Sequence, residues 1–140
     1  MEDKFKIFAE FVKDLSSETK DLETFLYVKE YLKKYNLNIE ISSKPIKKRF
    51  IEVNTKLTYL DKSESKNKSF FEVIYSTIIK IDENIKDKKV IEKIILCDVQ
   101  NKIYNNLEKV FLNLISNSGY PGLKIEKKID FEKLYAEKFS

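Results

Sequence analysis

At 140 residues, with 42% apolar and 36% charged residues, the chain has enough hydrophobic surface for one compact core and too balanced a composition for disorder. It has no His, one Cys and two Gly, which excludes a Ser-His-Asp relay, a His-ligated or all-thiolate zinc site and an intrachain disulfide. The net charge of +4 comes from 27 basic residues interleaved with 23 acidic ones; Arg49 is the only Arg, which argues against nucleic acid as a partner.

Gly119 and Gly122 lie three apart in Ser-Gly-Tyr-Pro-Gly-Leu, so no glycine-rich phosphate loop can be written and no nucleotide cofactor is expected. Cys97 reads as a small core hydrophobe, and no carboxylate spacing singles out a general acid–base pair, so neither a metal site nor an enzyme is expected. No apolar run approaches the roughly 20 residues that span a bilayer. The start Met1-Glu2-Asp3-Lys4 lacks the features of a secretory signal, so the expectation is a cytoplasmic protein without direct membrane insertion.

Taken along the chain, Phe5, Ile7, Ala9 and Phe11 alternate with Lys6, Phe8 and Glu10, predicting a first strand with the former set buried. The polar stretch Asp14 to Asp21 follows, and Tyr27, Tyr31 and Leu32 permit a short helix. Leu37, Ile39 and Ile41 alternate with polar residues in a short extended piece ahead of a break at Pro45, and the basic patch Lys44 to Arg49 reads as a solvated loop. From Arg49 to Leu60, Ile51, Val53, Thr55, Leu57 and Tyr59 fall on one face. Phe70 to Ile81 is rich in β-branched and aromatic residues, so the pair reads as an antiparallel hairpin with a long loop over Asp61 to Ser69.

Beyond Asp82 the spacing turns helical. Ile91, Ile94 and Ile95 form one stripe, and Ile103, Leu107, Val110, Phe111 and Leu114 form another that ends near Asn117. Leu123 and Ile125 make a short extended segment, and Asp130 is placed to cap a last helix carrying Phe131, Leu134 and Tyr135.

Three stretches in this order resemble the SecB family. Lys13-Asp14-Leu15-Ser16-Ser17-Glu18 is similar to the family's Lys-Asp-Leu/Ile-Ser-x-Glu segment, and Phe70-Phe71-Glu72-Val73 to its strand with an acidic residue in the same phase. Gly119-Tyr120-Pro121-Gly122-Leu123 followed by Asp130-Phe131-Glu132-Lys133-Leu134-Tyr135 is similar to its C-terminal arrangement, so the resemblance runs from about Phe8 to Lys138. The chain departs from the family where Cys97 is followed by Asp98 rather than Pro, where Asn101-Lys102-Ile103-Tyr104 keeps little of the Leu-Phe-Pro stretch, and in being basic where export members are commonly acidic.

The resemblance implies a single α+β domain over 1–140, a four-stranded antiparallel sheet with helices packed on one side, assembled as a homotetramer that is a dimer of dimers. It implies an ATP-independent holdase for unfolded polypeptides, either preproteins bound for Sec-dependent export or one dedicated client in a toxin–antitoxin system. By the same resemblance, Leu37, Ile39, Ile41, Phe131 and Tyr135 line a client groove. Asp14, Glu18 and Glu72 form one acidic patch that docks the basic, zinc-bearing tail of the translocase motor SecA.

Overall fold

The strongest alternation in the chain forms the middle of its sheet. In the computed structural model, which describes residues 4–61, 69–125 and 129–139, four strands are joined in the order β1-β4-β3-β2, every neighbouring pair antiparallel. They are β1 (Phe5–Ser17), β2 (Asn36–Lys47), β3 (Phe50–Leu60) and β4 (Phe70–Ile81). Val53, Thr55, Leu57 and Tyr59 of β3 and Phe71, Val73, Tyr75, Ile79 and Ile81 of β4 are buried on one shared face, because register holds residues of equal phase on one side. The loop expected between β3 and β4 falls largely on residues 62–68, outside the described residues.

The helices cover that face. Helix α1 (Leu22–Tyr31) starts at Asp21, whose side chain accepts from the Thr24 amide at 2.8 Å. It buries Thr24 and Val28, while a single 3-10 turn (Leu32–Lys34) buries Leu32. Helix α2 (Lys88–Lys93), a π-helical turn (Ile94–Asp98) and α3 (Val99–Asn117) follow one another directly. The wider π turn accounts for the two separate apolar stripes in the sequence, since an extra residue per turn rotates the apolar face. Gln100 stabilises the junction: its amide donates to the Ile95 carbonyl at 3.1 Å and its oxygen accepts from Thr55 at 2.8 Å, fixing α3 to β3. Val99, Ile103, Leu107, Phe111 and Ile115 complete the core. The helix stops at Asn117, as expected, where Gly119 takes φ 108° and the Tyr120 amide reaches back to the Ile115 carbonyl at 3.2 Å.

Three expectations from the sequence need correction. Strand β1 runs on to Ser17, and it carries irregularities between Ile7 and Ala9 and between Val12 and Asp14. The first inserts one residue and reverses the phase, so Ala9 and Phe11 face away from the helices and Phe11 is 44% exposed, while Glu10 and Val12 turn inward. Pro45 does not end β2, which continues to Lys47; on an edge strand a missing N–H leaves no ladder bond unmade. The basic patch is solvated as expected, with Lys44 to Lys48 exposed, but it is a strand end and a tight turn at Lys48 rather than a loop. Arg49 closes it by donating to the carbonyls of Asp82 and Ile85, tying the start of β3 to the turn after β4.

Candidate functional site

Strand β2 lies at one edge of the sheet. Its ladder to β3 puts Leu37, Ile39 and Ile41 opposite Tyr59, Leu57 and Thr55, so the three aliphatic residues project towards the helices at the rim of the core. They are half-buried. Helix α4 (Phe131–Phe139) stands over this rim, begun by Asp130, whose carboxylate accepts from the Lys133 amide at 3.1 Å. Phe131 is only 2% exposed and meets Tyr104 edge-on at 5.6 Å, forming with Cys97, Ile39, Ile41 and Ile129 a small cluster apart from the main core.

Two recesses result. A cavity of about 650 Å³ wraps the edge of β2, lined towards the helices by Ile39, Ile41, Leu96, Leu134 and Tyr135. Its other side is lined by Glu40, Ser42, Asn54, Lys56 and Ile74. A second, of about 450 Å³, lies further along the same strand at Leu37, with Tyr35, Tyr59, Leu123 and Ile125. Burial pushes the Tyr35 hydroxyl up to about 12, so Tyr35 stays neutral across the physiological range.

The five groove candidates are therefore divided. Ile39, Ile41 and Tyr135 meet at the first recess, Leu37 belongs to the second, and Phe131 lies beneath as the anchor of α4. Leu96 and Leu134 were missed. Leu134, three residues after Phe131, was legible as an apolar position of the helix but not as a cavity lining, and Leu96 sits in the π turn, whose rotated face no regular periodicity reveals.

The opposite sheet face is open to solvent and crossed by rows of facing residues. One row runs Asp14, Ile74, Lys56, Glu40, and the next Ser16, Glu72, Thr58, Asn38. Asp14 and Glu72 are thus diagonal neighbours on one face, while Glu18 follows just beyond the end of β1. Lysines are interleaved: Lys56 pairs with Glu72 at 3.3 Å and Lys13 with Glu52 at 3.1 Å. Hydrogen bonds from Asn54 and Lys13 hold the Glu52 carboxyl below the usual carboxylate range. Among the described residues no cluster of potential metal ligands occurs, and no helix is long and apolar enough to cross a membrane.

Comparison with known proteins bears on this architecture. The family model described as "Preprotein translocase subunit SecB" matches residues 1–140. The chain belongs to the SecB family. A curated relative from Pelagibacter ubique (strain HTCC1062), named "Putative protein-export protein SecB", is 53% identical over 138 residues, covering 99% of both chains. Members of this family are protein-export chaperones. Among solved structures, the Mycobacterium tuberculosis Rv1957 SecB-like chaperone, in complex with a ChAD peptide from the Rv1956 HigA1 antitoxin, superposes with a TM-score of 0.68. The alignment covers 91% of this chain and 92% of that one at 8% identity. A Streptococcus agalactiae protein of unknown function matches with a TM-score of 0.53 at 12% identity, over 88% and 97% of the two chains. At such identities these structural matches speak for the SecB-like fold alone, a four-stranded antiparallel sheet with helices on one side.

Proposed function

We propose that this SecB-family chain is a cytoplasmic, ATP-independent holdase that keeps preproteins extended for Sec-dependent export, the whole chain acting as one chaperone domain. The observation that carries the reading is the pair of recesses along the edge strand β2, each with an apolar wall towards the helices. An extended non-native segment laid along that edge would set side chains into both recesses. Its affinity would come from buried apolar area, at about 25 cal/mol per Å² before ordering costs. Such contacts need no nucleotide and tolerate many sequences. The protein is expected to suppress aggregation of a slowly refolding client in buffer free of nucleotide, followed by light scattering; a requirement for ATP would sink the reading.

Assembly belongs to the proposal. Val12 and Leu15 on the edge strand β1, and Leu22 and Leu26 on α1, are exposed large apolar side chains, the kind of surface that a dimer of dimers would cover.

For docking, we assign Asp14, Glu18 and Glu72 to contact with the basic tail of SecA. Asp14→Lys is expected to weaken a SecA tail peptide, most clearly at low salt, while client holding is retained because Asp14 lines neither recess. Unchanged peptide binding would overturn the docking assignment and favour a chaperone dedicated to one client.

A further inference from the structure

The two recesses differ in charge. In the larger one, the lysines are already paired, Lys13 with Glu52 and Lys56 with Glu72, and Glu40 stands among the lining residues. The smaller one has an apolar floor of Leu37, Tyr59, Leu123 and Ile125, and its lining adds Lys33 and Lys124 with no carboxylate among the described residues. Neither lysine takes part in an ion pair among the described residues. The closest described acid in sequence to Tyr59, Asp61, is engaged by the Tyr27 hydroxyl at 2.6 Å.

Lys33 is held in place. It belongs to the 3-10 turn whose Leu32 carbonyl accepts from the Tyr59 hydroxyl at 2.7 Å and from the Tyr35 amide at 3.1 Å, which anchors that turn against the cavity floor. Lys124 follows Gly122, whose φ of 89° bends the chain as it leaves α3. The recess therefore offers apolar contact flanked by two lysines, on different segments, that have no ion-pair partner among the described residues.

We propose that this recess selects client segments in which an apolar or aromatic residue is flanked by Asp or Glu, the apolar side chain seated on Leu37 and Tyr59 and the carboxylate between Lys33 and Lys124. The inference rests on the client-holding reading and adds to it a charge preference that its apolar contacts alone would not create. At volumes of roughly 300–1,000 Å³, pockets of this kind draw affinity from apolar walls and orientation from a few polar groups. Here those groups are cationic. An exposed ion pair adds little singly, so the two lysines together should shift affinity by about five-fold, and salt should erase that shift.

Three fluorescein-labelled peptides sharing one unstructured apolar stretch, flanked by Asp, by Ser or by Lys, would be titrated by anisotropy at low and high salt. The Asp-flanked peptide is expected to bind about five-fold tighter than the Ser-flanked one at low salt and equally at high salt. The Lys33→Ala/Lys124→Ala variant should lose this preference, and Lys33→Glu/Lys124→Glu should favour the Lys-flanked peptide. Equal affinities for all three peptides, or a preference that survives in the double Ala variant, would overturn the inference while leaving client holding intact. Failure of even the Ser-flanked peptide to bind would bring down the holding reading and the inference together.

Discussion

Leu134→Asp is expected to strip the protein of most of its client affinity while leaving its melting temperature within a few degrees of the parent. Leu134 is 41% exposed on α4, so a polar residue there disturbs no packed core, yet its side chain lines the larger recess beside Ile41 and Tyr135. An aliphatic side chain buried in an apolar contact contributes about 1.5–3 kcal/mol. Its loss thus corresponds to about ten- to hundred-fold weaker binding, before any cost of pressing a carboxylate against an apolar client is counted. The comparison to make is light-scattering suppression by parent and variant at matched concentration, alongside circular-dichroism melting. Holding that survives the substitution would mean that clients do not use this recess.

Phe111→Ala should act on the fold itself. Phe111 is fully buried on α3 and meets Tyr59 of β3 edge-on at 5.5 Å, so it seats the long helix on the centre of the sheet. Removing such a ring leaves a cavity and typically costs about 3–5 kcal/mol. Against a total stability of about 5–15 kcal/mol that is a large fraction. Urea unfolding at one fixed protein concentration would measure it, since any assembly makes apparent stability concentration-dependent. A loss under about 1 kcal/mol would mean that α3 packs on the sheet differently.

Much of this architecture was legible in the residues. The alternation in Ile51 to Tyr59 survives intact because β3 is a central strand paired on both sides, so that local pattern and ladder agree. Asp130 and the turn at Gly119 were equally readable, because a cap and a left-handed stop are set by a few neighbouring atoms. The limits lay where one extra residue changes a phase. Neither the bulge after Ile7 nor the π turn at Ile94 to Asp98 leaves a mark in composition; the first reverses the phase until the irregularity after Val12 restores it, and the second turns the apolar face of the helix that follows.

By itself, the sequence determined the class of the protein and excluded most chemistry. With no His, a lone Cys and no glycine loop, apolar surface was left as its main means of action, and short motifs in order pointed to the SecB family, which the family match bears out. Only the tertiary structure decided which apolar residues face a cavity. Phe131 and Leu134 are both apolar positions of one helix, yet the first is buried against Tyr104 and the second opens onto the recess. The difference comes from where α4 settles on the π turn and the edge of β2, a packing of distant segments that local periodicity does not encode. The charge contrast between the recesses has the same origin. Lys33 and Lys124 are 91 residues apart (124 − 33) and come together only when the 3-10 turn after α1 and the segment after α3 meet beside β2.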